Sequence, residues 1–260
     1  MKLTGKKAVV TGAAAGIGKS IALALADEGA DVVIADIQTE KALKVCQEIK
    51  EKGRASLAIS CDVGDPVKVD AMMNQAYDFM HGLHILVNNA AIISQGPFWE
   101  VTDETWGKII RNNLSSVFYC SRAASRLMIP QKQGGRIINM SSIHATLSEP
   151  NAGPYTAAKG GIEAFSRTMA TELAPYKITV NCIAPGATYS ELTTPMYTDS
   201  VKQALFQRVP LQEIAQPEWI AAGVVFIASE DARYMTGQVL TLDGGYVMDG
   251  SLPGAKYWTE

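Results

Sequence analysis

No run of like charges occurs anywhere in this 260-residue chain, and its 23 basic and 26 acidic residues leave a net charge of −3. Without a basic surplus there is no positive face of the kind a phosphate backbone needs, which excludes nucleic acid as the expected partner. The missing polybasic run likewise argues against an anionic membrane surface. No apolar run reaches the ~20 residues of a spanning helix. The apolar part of the opening MKLTGKKAVVTG is shorter than the h-region of a secretory signal. Cysteine is sparse: Cys46, Cys61, Cys120 and Cys182 lie far apart, and no CxxC pair exists. That pattern reads as reduced, buried thiols and predicts a cytoplasmic protein. Of the 3 histidines, His81 and His84 flank Gly82 with no further ligand type clustered beside them, so no metal site is expected. Long linkers, low-complexity tracts and solenoid repeats are missing too.

Apolar residues, in contrast, make up 47% of the chain, enough to bury a large core. Short β-rich runs alternate with longer amphipathic stretches. Strands are predicted at 7–11, 31–36, 57–61, 84–87, 136–140, 178–183 and 239–242, and helices at 17–28, 39–52, 67–80, 103–111, 114–128, 154–174 and 219–229. Several strand runs, such as DVVIAD, are continuously apolar rather than alternating. Such strands are covered on both faces, which implies a parallel sheet between two helical layers. The regular β-α order predicts an α/β fold, a single doubly wound Rossmann-type domain with a mainly parallel seven-stranded sheet. The least regular stretch is Gly186–Pro217, which carries Pro195, Pro210 and Pro217. A loop that long in a compact domain is usually functional, and residues 186–217 are expected to form a substrate loop or lid.

The first predicted strand runs straight into Thr11-Gly12-Ala13-Ala14-Ala15-Gly16-Ile17-Gly18 and then into a helix. Glycines let the backbone turn tightly beside a pyrophosphate, whose charge the helix N-terminus favours. The strand before and helix after are the context this motif needs. Asp36 ends the second strand, twenty residues after Gly16. A carboxylate there accepts hydrogen bonds from adenosine ribose hydroxyls and repels a 2′-phosphate. Position 15 is alanine rather than a cation, and Lys19 is expected on a solvated helix face. Both features favour NAD over NADP. The fourth strand ends in Asn88-Asn89-Ala90-Ala91, whose small residues leave room for a ligand, although taken alone the segment reads equally as a turn.

Ser142, Tyr155 and Lys159 can carry chemistry together, although taken alone a YxxxK pair reads more readily as a solvated helix face. Ser142 follows the fifth strand, and Tyr155 and Lys159 share a helix face one turn apart. A phenol titrates near ~10, too high for a base at neutral pH, and a nearby ammonium is expected to lower it. A tuned tyrosine can then exchange the hydroxyl proton while a nicotinamide exchanges the hydride. Ser142 can hydrogen-bond the substrate oxygen.

Taken in order, TGxxxGxG at Thr11–Gly18, NNA at Asn88–Ala90, Ser142, YxxxK at Tyr155–Lys159 and Pro185-Gly186 resemble the short-chain dehydrogenase/reductase family, over nearly the whole chain from Leu3 to Gly245. The resemblance implies a Rossmann fold with a Ser-Tyr-Lys centre and a fourth member at Asn113, holding a water in a proton relay with Lys159. It implies a cofactor site formed by Gly12, Ala15, Gly16, Ile17, Gly18, Asp36, Asp62, Val63, Asn89, Ala90, Tyr155, Lys159, Pro185, Gly186 and Thr188. In that set Asp62 and Val63 border the adenine, Lys159 also holds the nicotinamide ribose, Pro185 and Gly186 flank the nicotinamide, and the Thr188 backbone meets its carboxamide. Ala91 and Ala145 stand where the family usually has glycine, and Thr188 and Ser190 replace an aliphatic-x-threonine pattern. None of these departures removes a reactive group.

Ser94, Gln95, Ser142, His144, Glu149, Asn151, Tyr155 and Tyr189 are expected to meet the substrate. Polar lining is best satisfied by a substrate with several hydroxyls, and Ser142-Ile143-His144 resembles sugar dehydrogenases of the family. The expectation is therefore an NAD-dependent alcohol/ketone oxidoreductase acting on a sugar, sugar acid or polyol. Alternatives are a 3-oxoacyl-thioester (acyl carrier protein) reductase and a non-catalytic NAD-binding sensor. The sensor would be expected to lack a catalytic residue, and the reductase pattern usually pairs with NADPH and a basic patch. The resemblance further implies a homotetramer, with the tail at residues 246–260, carrying Leu252, Pro253, Tyr257 and Trp258, packed at a subunit interface.

Overall fold

β-branched runs become strands wherever they can be covered on both sides. The computed structural model describes residues 1–191 and 193–250. It contains β1 (Lys7–Thr11), β2 (Asp31–Asp36), β3 (Ser56–Ser60), β4 (Ile85–Asn88), β5 (Gly135–Met140), β6 (Ile178–Pro185) and β7 (Val239–Leu242). Their order in the sheet is β3-β2-β1-β4-β5-β6-β7, and every neighbouring pair is parallel. The helices are α1 (Gly16–Asp27), α2 (Thr39–Glu51), α3 (Pro66–Met80), α4 (Asp103–Ile110), α5 (Ser116–Gln131), α6 (Gly153–Leu173), α7 (Asp199–Phe206) and α8 (Pro217–Ala228).

Alternate residues of each strand feed opposite layers, which explains the unbroken apolar runs. Val10, Ile34 and Val87 pack with Ile21 and Leu25 of α1, Ile49 of α2 and Val224 of α8. Val9, Val33 and Leu86 pack with Met72 and Met73 of α3, Ala124 of α5 and Ile162 of α6. All these strand residues are fully buried. Burying one such aliphatic side chain contributes about 1.5–3 kcal/mol. The chain leaves β1 toward β2 on one side and reaches β4 on the other. At that reversal the carboxyl ends of β1 and β4 open a crevice, the usual ligand position in such sheets.

β1, β2 and β7 fall on the residues expected from the sequence, and the other strand and helix boundaries lie within three residues of expectation, with two larger differences. The break expected after residue 111 is a π-helical turn, Arg111–Ser115, that joins α4 to α5. The 186–217 segment is not irregular throughout: it carries a short 3-10 turn at Thr194–Met196 and the helix α7, capped by Thr198, whose Oγ1 accepts from Val201 N. Its three prolines masked that helix in the sequence. Of the expected interface tail, residues 251–260 lie outside the described residues. Among the described residues, no helix is long and apolar enough to cross a membrane.

Candidate active site

A cavity of about 1220 Å³ lies along the carboxyl ends of β1, β2, β4, β5 and β6. Its floor at one end is the glycine turn between β1 and α1. A Cβ on Gly12 would sit 2.7 Å from the Ala90 Cα, and one on Gly18 would sit 2.2 Å from the Gly12 carbonyl oxygen. Both positions therefore require glycine for close backbone approach. Thr11 ties this turn to β4: its Oγ1 accepts from the backbone N–H groups of Asn89 (3.0 Å) and Ala90 (3.1 Å). Asn89 returns the bond, donating from Nδ2 to the Thr11 and Gly12 carbonyls at 3.0 and 2.9 Å.

The N-terminus of α1 has no capping side chain and no acidic residue in its first turn. Its free N–H groups and positive dipole end are thus left for an anion. Asp36, at the end of β2, is buried, and its carboxylate accepts from Ala14 N and Gln38 N, both at 2.9 Å. Those bonds hold its direction beside the turn. Asp62 and Val63 line the same end. The turn, the uncapped helix and the anchored carboxylate fit a nicotinamide dinucleotide with its pyrophosphate at the turn.

At the other end Ser142, Tyr155 and Lys159 converge. Ser142 begins a tight turn after β5, and its Oγ accepts from His144 N at 3.2 Å. The Ser142 side chain faces the Tyr155 phenol across the same end of the cavity and draws its pKa down. Burial nevertheless pushes the phenol above its usual range, against that pull, and Glu149 adds to the rise. This corrects the expectation of a phenol lowered by its neighbour. Lys159 lies 5.5 Å from the Tyr155 ring centroid, but its Nζ donates to the Met140 carbonyl at 2.6 Å. The ammonium is itself destabilised: burial lowers it to about 8, and the Cys182 thiol opposes this only in part.

That shift predicts a stability effect. Below pH 8 the native state must hold a buried charge, whereas the unfolded lysine titrates near 10.5. Stability therefore rises with pH between about 8 and 10.5, as the unfolded chain keeps a proton that the native chain has lost. Lys159→Met is expected to unfold at higher urea at pH 7, by about 2 kcal/mol once the lost bond to Met140 is set against the removed charge. The advantage should shrink as pH approaches 10. Equal stability at pH 7 would refute the buried-charge argument.

All the residues expected at the cofactor line this cavity, from Gly12, Ala15, Gly16, Ile17 and Gly18 to Asn89, Ala90, Pro185, Gly186 and Thr188. Of the expected substrate residues, Gln95, Ser142, His144, Glu149 and Tyr155 line it, whereas Ser94, Asn151 and Tyr189 are not among its walls. Asn151 is exposed in a left-handed turn (φ 68°), and its carbonyl accepts from Gly96 N. Tyr189 packs edge-on against Tyr197, ring centroids 5.5 Å apart. Asn113 also stands outside the lining. Its buried amide is spent on Ile92, accepting from its N–H and donating to its carbonyl, both at 2.8 Å. Both amide atoms are thereby held on Ile92 rather than turned into the cavity.

The sequence reading placed the 186–217 segment at the pocket but not the apolar wall made by Ile92, Ile93, Met196, Tyr197, Val201, Leu205 and Val209. Of these, Val201 and Leu205 come from the amphipathic DSVKQALF of α7. Opposite lies a polar corner, where His144 Nε2 meets Glu149 Oε2 at 3.2 Å.

Residues 12–247 match the family model described as enoyl-(acyl carrier protein) reductase. A 3-oxoacyl-[acyl-carrier-protein] reductase of Staphylococcus aureus is 39% identical over 249 residues, 95% of this chain and 100% of that relative. Among solved structures, a 7α-hydroxysteroid dehydrogenase complexed with NADH and 7-oxo glycochenodeoxycholic acid superimposes with a TM-score of 0.91, at 33% identity over 95% of this chain and 96% of that one. A short-chain dehydrogenase from Burkholderia cenocepacia in complex with NADP gives a TM-score of 0.88, at 33% identity over 95% and 99%.

Proposed function

The chain belongs to the short-chain dehydrogenase/reductase family, an oxidoreductase of CH–OH and keto groups, and from that premise we propose that it works with NAD(H) on a 3-oxoacyl or 3-hydroxyacyl thioester. The observation that carries the reaction is the convergence of Ser142, Tyr155 and Lys159 at one end of a cavity whose other end holds the anchored Asp36. NAD, when bound, supplies the hydride acceptor and NADH the donor. Asp36 selects the unphosphorylated ribose by bonding its hydroxyls and repelling a 2′-phosphate. Ser142 holds the substrate oxygen. Tyr155 carries its proton at neutral pH and gives it to the oxygen of a ketone, and in the reverse step its phenolate takes the proton of the alcohol. Asn113 fixes Ile92 at the cavity wall.

The acyl substrate is the alternative weighed from the sequence, and it is favoured over the sugar by the reductase relative and by the apolar wall of α7. With Asp36 in place such a reductase runs on NADH. A second reading, a sugar or polyol, is favoured by the polar corner: His144 pairs with Glu149, and its buried Nδ1 has no partner among the described residues. A substrate hydroxyl would satisfy that nitrogen. The 186–217 segment acts in either case as a lid, supported by its share of the wall and by the Lys41–Glu191 ion pair at 2.7 Å that ties it to α2. A homotetramer is supported by exposed Phe118, Trp219 and Phe226. A monomer on a sizing column would overturn it.

The test is absorbance at the NADH band with 3-oxoacyl thioesters, aldoses, sugar acids and polyols, each with both cofactors. Thioester reduction with NADH supports the main reading. Oxidation of polyols alone moves the substrate to the second. Turnover only with the 2′-phosphorylated cofactor refutes the role given to Asp36.

A further inference from the structure

One face of α6 meets the end of β5 in a column of polar contacts, one per helical turn. Tyr155 faces Ser142, and Lys159 Nζ donates to the Met140 carbonyl at 2.6 Å. Next along the helix, Ser141 Oγ donates to Glu163 Oε1 at 2.7 Å, and then Asn139 Nδ2 donates to Ser166 Oγ at 2.8 Å. The four helix positions follow the spacing of one face. The third contact has no part in the roles assigned above. Glu163 and Ser141 are both buried, and a buried carboxylate is expensive unless its acceptors are used. An aliphatic side chain would fill the same place at lower desolvation cost.

Ser141 directly precedes Ser142. Its backbone N–H donates to the Ile183 carbonyl of β6 at 2.7 Å, while its hydroxyl is held by α6. Ser141 is thus pinned from two elements at the point where the chain leaves the sheet and Ser142 turns into the cavity. We infer that Glu163 is a positioning residue: by holding Ser141 it sets where β5 ends, and so the direction from which Ser142 meets Tyr155 and the substrate oxygen. The inference rests on the roles proposed for Ser142 and Tyr155. The titratable and charged groups facing the column are Lys159 and Arg167 from α6, Cys182 from β6 and Glu149 from the loop after β5.

The test compares Glu163→Leu, Glu163→Gln and Ser141→Ala. The first readout needs no substrate. Phenolate absorbance is followed against pH, each protein referenced to its own Tyr155→Phe derivative, so that only Tyr155 is seen. Glu163→Leu and Ser141→Ala should move the Tyr155 titration upward, because Ser142, whose side chain draws it down, is no longer held in place. Glu163→Gln should leave it in place, because an amide oxygen still accepts from Ser141. The second readout is steady-state turnover: Leu and Ala should each lower kcat about tenfold with KM for NAD unchanged, the double variant should be no worse than either, and Gln should keep most of the activity. An unmoved titration in Glu163→Leu overturns the inference, as does a shift in Glu163→Gln, which would trace the effect to charge. Ser141→Ala decides if the Leu variant does not fold. A parent that turns over no alcohol or ketone, with the titration still displaced, would sink the proposed reaction and leave the positioning intact.

Discussion

Replacing Tyr155 by phenylalanine is expected to lower kcat by about three orders of magnitude while NADH binding, read by fluorescence, stays at the parent value. The substitution removes one hydroxyl beside Ser142 and keeps the ring in place. Ser142 Oγ accepts from His144 N and keeps its own proton for holding the substrate oxygen, while Lys159 Nζ donates to the Met140 carbonyl. The phenol is held above its ordinary pKa by burial, so at neutral pH it enters ketone reduction as the proton donor, and the variant has nothing to donate. Turnover within tenfold of the parent would refute this role. Loss of NADH binding along with turnover would instead mark Tyr155 as a structural support of the cavity.

Removing the Asp36 carboxylate should move cofactor preference by a comparable margin. Asp36→Ala is expected to lower kcat/KM for NAD by one to two orders of magnitude, the worth of about one or two hydrogen bonds to a charged acceptor. It should also remove the repulsion that bars a 2′-phosphate, so that the NAD/NADP ratio falls by more than the loss with NAD alone. Asp36→Asn separates two contributions. It keeps an acceptor for Ala14 N or Gln38 N, which the carboxylate binds at 2.9 Å each, but lacks the charge. If the turn geometry were all that mattered, Asn would behave as the parent. If charge selects the cofactor, Asn should admit NADP as Ala does. An unchanged ratio in both variants would dismiss Asp36 as the selector.

Much of this fold was legible because backbone geometry imposes short periods on the sequence. Unbroken runs such as DVVIAD announced strands covered on both faces, and β2 pairs on both sides between two helical layers. Tyr155 and Lys159 are four apart, which places them on one face of any helix, and α6 forms there. Gly12 and Gly18 could be read because a close approach admits no side chain, whatever surrounds it. What a side chain faces across the fold has no such local signature. Ser94, Asn151 and Tyr189 looked like pocket residues by composition and position, yet the left-handed turn at Asn151 and the Tyr189–Tyr197 packing turn them elsewhere.

By itself, the sequence determined the parallel sheet, the place of the glycine turn and the carboxylate at the end of β2, consequences of spacing within one or two elements, while the side chains proposed to react were reached through the ordered motifs of a family. Only the tertiary structure decided that α7 walls the cavity, that Lys159 spends its ammonium on Met140, that burial outweighs the pull of Ser142 at Tyr155, and that Glu163 reaches Ser141. Each of these depends on segments far apart in the chain being desolvated together, and desolvation is a property of the packed interior rather than of any stretch of residues.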